Sequence, residues 1–214
     1  MEPVEGNIHH LRENYESGSL EMNSMYPSPF HQFAVWFKAA GEAGIPEPNA
    51  MVFSSVGEKG RPSSRVVLLK EFSEKGFVFF TNYLSRKGKE IEQHPFGCLN
   101  FWWGPLERQI RIEGELKKID PSESDEYFYS RPKGSQAGAI ISPQSQVIES
   151  REWLEQKFIE IQLKGEIKRP DHWGGYILDP DRMEFWQGRS NRLHDRLQYE
   201  KQQDGNWIIH RLAP

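Results

Sequence analysis

Arg65-Val66-Val67-Leu68-Leu69-Lys70, then Glu71-Phe72-Ser73-Glu74-Lys75-Gly76, then Phe77-Val78-Phe79-Phe80-Thr81, reads as two strands on either side of a polar turn. Runs of Val, Leu and Phe suit a pleated surface packed on both faces, so both strands are expected to be buried. The first run carries a cation at each end. Beyond Asn82, Ser85-Arg86-Lys87-Gly88-Lys89-Glu90-Ile91 predicts a short helix that Ser85 caps and that stops near Pro95. Cations in a first helical turn oppose the macrodipole by about 0.3–1 kcal/mol each when exposed. Arg86, Lys87 and Lys89 beside free backbone N–H groups, with Arg65 at the end of a strand near the same turn, point to a bound anion such as a phosphate. A solvated basic helix end is the alternative.

Upstream, residues 1–25 are polar and without periodicity and read as a mobile arm ahead of one domain spanning 26–214. Ser28 as cap, Pro29 at the first position and the stripe Phe30, Phe33, Phe37, Ala40 predict a helix ending around Gly41 to Gly44. Ala50–Val56 and Pro62–Lys70 flank Gly57-Glu58-Lys59-Gly60 as a hairpin. Downstream, Phe96–Trp103 reads as a strand. Alternation over Arg108–Lys118 predicts another, with Ile110 inward and Gln109 and Arg111 outward. Asp120-Pro121-Ser122-Glu123 opens a helix to about Ser130, a second helix starts at Gly134-Ser135, and a third follows Ser150. Four further strands are expected at Gly175–Leu178, Met183–Gln187, Arg192–Tyr199 and Trp207–Leu212. Antiparallel strands with helices inserted between sets of them give an α+β class with a barrel-like sheet.

The 214 residues are enough for a sizeable core, and 13% are aromatic, including seven Trp. A net charge of −4 provides no global basic field for nucleic acid. No run approaches the ~18 apolar residues of a membrane span, and the polar start lacks a signal-peptide core, so a cytoplasmic protein is expected. The single Cys98 excludes an intrachain disulfide. Seven scattered His without clustered carboxylates or thiolates give no metal site. Walker, dinucleotide-binding and nucleophile-elbow motifs are absent. His194 and Asp195, as neighbours on a strand, would face opposite ways and make a poor relay.

What remains is an excess of anion-binding groups in three places. Arg65, Arg86 and Lys87 form the first. Tyr127, Arg131 and Ser135 form the second, an Arg fork at one helix end beside a Ser at the next helix start; simple capping by both residues is the alternative. Arg192, His194 and Arg196 form the third, alternate residues on one face of a strand, with Trp186 just upstream. Two phosphate sites with aromatic platforms fit two phosphorylated, ring-bearing ligands; a flavin mononucleotide with a second phosphorylated substrate is one such pair among others.

A series of motifs in fixed order carries a resemblance: Arg65-Val66-Val67-Leu68-Leu69-Lys70, Phe80-Thr81-Asn82, Ser85-Arg86-Lys87, Glu107-Arg108-Gln109, Ser130-Arg131-Pro132 and Gln144-Ser145. Trp173-Gly174-Gly175-Tyr176, Phe185-Trp186-Gln187-Gly188, Asn191-Arg192-Leu193-His194-Asp195-Arg196 and Arg211-Leu212-Ala213-Pro214 complete it. Each piece is weak alone, but the last three together are highly specific. From roughly Phe33 onward the chain resembles the pyridoxamine 5′-phosphate oxidase family.

The resemblance implies a mainly antiparallel, FMN-binding split β-barrel with peripheral helices, assembled as a homodimer whose sites draw on both subunits. It assigns Arg65, Val66, Val67, Leu68, Phe80, Thr81, Arg86 and Lys87 to FMN, with Gln109, Gln144, Ser145, Trp186 and Arg196 as further flavin contacts. Lys70, Tyr127, Arg131 and Ser135 match the substrate-phosphate site, and Arg192, Leu193 and His194 the substrate ring, with Arg192 and His194 catalytic. Arg12 and Tyr15 resemble a lid pair. The implied reaction is oxidation of pyridoxamine and pyridoxine 5′-phosphates to pyridoxal 5′-phosphate by O2, in vitamin B6 coenzyme synthesis. A flavin reductase of the same barrel class and a non-catalytic carrier of FMN or pyridoxal 5′-phosphate are the rival readings.

Overall fold

The computed structural model describes residues 13–163, 165 and 167–214. Nine strands form one sheet: β1 Ala50–Val56, β2 Pro62–Leu68, β3 Glu71–Ser73, β4 Gly76–Asn82, β5 Phe96–Trp103, β6 Arg108–Lys118, β7 Trp173–Gln187, β8 Asp195–Lys201 and β9 Trp207–Leu212. Five α-helices surround it: α1 Pro29–Glu42, α2 Arg86–Gln93, α3 Pro121–Ser130, α4 Lys133–Ile141 and α5 Arg151–Leu163. The strand order is β2-β1-β5-β6-β7-β4-β3, with β8 added to β7 and β9 to β8, and every pairing is antiparallel. The sheet curls without closing, as a split barrel does.

β7 is the member that makes this possible. Its first half pairs with β4 and its second half with β8, while β6 runs along it from Tyr176 to Gln187. Glu113 pairs with Arg182 and Gly114 with Pro180, so Asp181 is an extra residue and the strand bends there. Pro180 has no N–H for the ladder, and the bulge is where an interior strand accommodates it. Asp179-Pro180-Asp181 reads as a turn in sequence, which is why two strands were expected where there is one.

The core is aromatic. Phe33 on α1 is fully buried, with the rings of Phe72, Phe77 and Phe101 at 4.9, 4.9 and 5.3 Å. The α1 stripe enters the barrel as predicted, with Ser28 Oγ accepting from His31 N and Pro29 in the first turn. Ile110 is buried, and Gln109 and Arg111 lie on the other face of β6.

Several expectations need correction. β2 is the terminal strand of the sheet, and Val66 is 66% exposed, so the first run is an edge strand instead of a buried one. Glu71–Ser73, expected as turn, adds the short strand β3 against β4. α4 starts at Lys133 after Pro132, which places Ser135 inside its first turn and not at its cap. β8 starts only at Asp195: Ser190–Arg192 is a 3₁₀ turn, with Asn191 and Arg192 at φ of 55° and 61°. Arg192, His194 and Arg196 therefore do not share one strand face.

Residues 13–25, the described part of the N-terminal segment, lie against β8 and the turn before it. Leu20 is buried, and its N–H donates to Asp195 Oδ2 at 3.1 Å. Ser17 N donates to Glu107 Oε2 at 2.9 Å. Arg12 lies outside the described residues.

Candidate functional site

Lys87 is the feature from which the site can be built. β4 ends in Thr81-Asn82, and Ser85 Oγ caps α2 by accepting from Gly88 N at 3.3 Å. That cap turns the first helical residues inward, so the Lys87 side chain is buried. Its Nζ donates to Gln144 Oε1 at 2.9 Å and to Thr81 Oγ1 at 3.1 Å. Among the described residues no carboxylate pairs with it directly. Burial, reinforced by the charge of Arg65 and opposed by that of Glu90, lowers its pKa to about 8.

Lys87 lines a cleft of about 680 Å³ shared by Val66, Val67 and Leu68 of β2, Phe80 and Thr81 of β4, and Gln144. The same cleft holds Lys70, Tyr127, Arg131 and Ser135. Phe80 stacks on Tyr127 at 4.0 Å and on Trp173 at 5.4 Å, giving the cleft a wall of flat rings. Arg131 is the C-cap residue of α3, and its guanidinium lies 4.7 Å from the centre of the Trp173 ring. Its Nη1 is buried without a hydrogen-bond partner among the described residues. A buried donor left unpaired is costly, and an anion in the cleft would satisfy it. Lys70 Nζ lies 5.8 Å from the Tyr127 ring, completing a second cationic group.

Arg86 and Ser145 line an adjoining cleft of about 670 Å³ that meets the first at Gln144. Arg65 lines neither; it lies beneath this region, bound to Glu90. That carboxylate accepts from Arg65 Nη2 at 3.1 Å, Arg86 Nε at 2.8 Å, and the hydroxyls of Ser55 and Ser63 at 2.6 Å each. Burial alone would raise the pKa of Glu90, but these four donors outweigh it and lower it to about 2. Glu90 thus joins two members of the first cation set, Arg65 and Arg86, while Lys87 is held apart by Gln144 and Thr81.

The remaining expected residues are gathered elsewhere. Gln109 pairs with Trp186 across β6 and β7. Arg192 and His194 share a recess of about 450 Å³ with Tyr15. The His194 ring lies 4.7 Å from that of Trp186 and 5.7 Å from that of Tyr15. His194 Nδ1 accepts from Arg189 N at 3.1 Å, which places the proton of the neutral ring on Nε2. Burial and then the charge of Arg192 lower its pKa, so the ring is neutral at pH 7. Leu193 is 69% exposed. Arg196 donates from Nε to Glu184 Oε1 at 2.8 Å and from Nη2 to Oε2 at 3.1 Å, a bidentate pair. Asp195 turns to Leu20, Arg189 and Arg211, so no His–Asp relay forms.

One chain therefore presents a phosphate-type cleft with stacked rings and, apart from it, a face carrying Gln109, Trp186, Arg192, His194 and Arg196. Two contributors were not foreseen. Trp173 was visible only as part of a motif. Glu90 had one sequence signal, its i,i+4 spacing from Arg86.

No helix among the described residues is long and apolar enough to cross a membrane. Residues 37–165 match the family profile described as pyridoxamine 5′-phosphate oxidase, and residues 173–214 match the pyridoxine 5′-phosphate oxidase C-terminal dimerisation region. The chain is 52% identical over 207 residues to the pyridoxine/pyridoxamine 5′-phosphate oxidase of Trichormus variabilis, covering 95% of this chain and 97% of that one. It is 54% identical over 206 residues to the protein of that name from Paraburkholderia phymatum, with the same coverage. The structure of PhzG from Burkholderia lata, in complex with tetrahydrophenazine-1-carboxylic acid, superposes with a TM-score of 0.85 at 31% identity, over 90% of this chain and 95% of that one. A pyridoxamine 5′-phosphate oxidase-related, FMN binding protein from Nostoc punctiforme shares the fold, with a TM-score of 0.72 at 17% identity over 89% of this chain and all of that one. With a family profile over more than half its length and relatives above 50% identity end to end, the chain belongs to the pyridoxine/pyridoxamine 5′-phosphate oxidase family.

Proposed function

We propose that this protein uses FMN to oxidise pyridoxamine 5′-phosphate and pyridoxine 5′-phosphate to pyridoxal 5′-phosphate. Electrons pass finally to O2, giving H2O2, and water releases ammonia from the amine substrate. The observation that carries the reading is one cleft that holds Lys87 at one place and Lys70 with Arg131 at another, beside stacked aromatic rings.

The residues present fit a phosphorylated flavin and a second phosphoester. Lys87, buried against neutral oxygens, is a cation in need of a counter-charge, and the orphaned Nη1 of Arg131 is a donor in need of an acceptor. Lys87, Arg65, Arg86, Gln144 and Ser145 would hold the FMN phosphate. Val66, Val67, Leu68, Phe80 and Thr81 would flank the rest of the cofactor. Lys70, Tyr127, Arg131 and Ser135 would take the substrate phosphate, with the Arg131 fork fixing its orientation. When bound, FMN supplies the two-electron acceptor for the hydride that leaves the substrate.

His194 works as a neutral donor through Nε2–H, and Arg192 beside it positions the substrate ring and keeps the imidazole uncharged. Gln109, Trp186, Arg192, Leu193, His194 and Arg196 reach the cleft from a second copy of the chain, a homodimer that the matched C-terminal dimerisation region supports. Tyr15, packed on Trp186 and His194, makes the N-terminal arm a cover for this end.

The purified protein should be yellow or turn yellow with added FMN. Anaerobic pyridoxamine 5′-phosphate should bleach it, and oxygen should restore the colour with peroxide formed. A colourless protein that takes up no FMN ends the reading, and bleaching by NADPH but not by pyridoxamine 5′-phosphate would assign a flavin reductase instead.

A further inference from the structure

Glu90 belongs to no part of the site inferred from the motifs, yet it is the most heavily contacted carboxylate beside it. We infer that Glu90 is a positioning residue for the cofactor phosphate: it holds the guanidinium groups of Arg65 and Arg86 in place and offsets one of the three positive charges gathered there. The inference rests on the FMN reading above and extends it to a residue that acts through the two arginines.

The geometry is specific. Glu90 Oε2 accepts from Ser55 Oγ, Ser63 Oγ and Arg65 Nη2, while Oε1 accepts from Arg86 Nε. Arg65 is held at its other terminal nitrogen too, donating from Nη1 to Ser55 Oγ at 2.6 Å. Arg86 is engaged through Nε, and its side chain is 62% exposed at the second cleft. A guanidinium fixed through Nε keeps its two terminal amino groups for an anion. Room for the carboxylate is also built in: a Cβ on Gly57 would come within 2.9 Å of Glu90 Oε1.

The charges match the ligand. Arg65, Arg86 and Lys87 against Glu90 leave a net +2, the complement of a phosphomonoester dianion. Without the carboxylate, the Arg65 guanidinium would act on the buried ammonium uncompensated, and the weaker holder of a proton would give way. That group is Lys87. It faces Arg65 from β2, Glu90 from its own helix and the neutral Thr81 and Gln144, and of these Glu90 is the one that favours its charge.

A merely structural carboxylate, pinning α2 to the β1–β2 hairpin, would leave that proton alone. The test is titration of the apoprotein with FMN, followed by quenching of flavin fluorescence across pH, for wild type and Glu90→Gln. Glu90→Gln should bind FMN about tenfold more weakly at neutral pH, the scale of one lost charge-assisted contact. The pH at which affinity begins to fall should also move lower than in wild type. Wild-type affinity in folded Glu90→Gln overturns the inference, and so does weakened binding with an unmoved pH onset. Should Glu90→Gln not fold, Ser63→Ala carries the positioning half of the test by removing one donor from the carboxylate: a smaller loss of affinity is expected, with the pH onset unmoved because Glu90 keeps its charge, and wild-type affinity overturns the inference. A wild type that binds no FMN sinks the functional reading, whereas FMN binding that is indifferent to Glu90 sinks this inference alone.

Discussion

Gln144 Oε1 accepts a hydrogen bond from Lys87 Nζ at 2.9 Å, tying the first turn of α2 to the segment that follows α4. Thr81 Oγ1 donates to the same oxygen at 3.2 Å, so Gln144 keeps a partner if the lysine is removed. Lys87→Met should therefore separate binding from stability. A buried ammonium among neutral oxygens is costly, and Met occupies similar volume without that cost. We expect FMN affinity to fall by about 100-fold, while the melting temperature of the apoprotein rises by roughly 2–4 °C. Calorimetry and flavin titration check both; a lower melting temperature would refute the argument.

The same lysine gives opposite pH trends. Its pKa in the folded protein is lowered from 10.5 to about 8, so between these values the unfolded chain holds more protons than the folded one. Stability from this group therefore rises with pH across that window. FMN binding needs the charge and should weaken as pH rises through about 8. Urea melts of the apoprotein and FMN titrations at matched pH read the two trends, and Lys87→Met should flatten both.

Arg131→Lys keeps the charge but loses the planar fork and its place over the Trp173 ring. We expect KM for pyridoxamine 5′-phosphate to rise by roughly 10- to 100-fold, with the FMN content of the purified protein unchanged. Loss of FMN instead would move Arg131 to the cofactor.

Arg192→Ala should depress turnover far more than FMN retention, and Arg86→Ala should chiefly release FMN. Arg192 also lowers the pKa of His194. The acidic limb of kcat/KM, where the imidazole gains its proton, should therefore shift upward in Arg192→Ala. Steady-state profiles of the holoenzyme decide this, and a limb that stays in place removes His194 as the group responsible.

Gly114→Ala tests the bulge. A Cβ at this position would run into the backbone of Asp179 and Pro180 in β7, which, unlike a flexible side chain, cannot swing aside. We expect a loss of about 3 kcal/mol or more in chemical denaturation. A near-neutral effect would mean that the β6–β7 ladder is looser than it looks.

How far the sequence could be read depended on the range of the interactions involved. Ser28, Ser85 and Asp120 announce helices because a cap and the N–H groups it serves lie within three residues. The β1–β2 hairpin and the alternation of β6 are likewise local. The continuity of β7 was hidden because Asp179-Pro180-Asp181 carries turn chemistry, and only pairing with β6 shows that the chain runs on. The cation face at Arg192 was misread because Asn191 and Arg192 adopt left-handed backbone, which period-two reasoning cannot anticipate. Eleven of the residues assigned by resemblance meet in one cleft, but nothing in their spacing revealed Glu90, whose partners Ser55, Ser63 and Arg65 lie 25 to 35 positions away.

Trp173 opens β7 and Trp186 stands near its end. The thirteen steps between them span about 40 Å of extended chain, and β6 accompanies them from Tyr176 onward, so the strand does not double back. If each cavity is finished by a twin, two crippled chains can mend one another: a hybrid of an Arg192→Ala chain with a Lys87→Met chain would contain one wholly sound centre and one doubly damaged one. Mixed expression of the two impaired alleles should then give more oxidase activity than either alone, a form of inheritance dictated by the length of one strand.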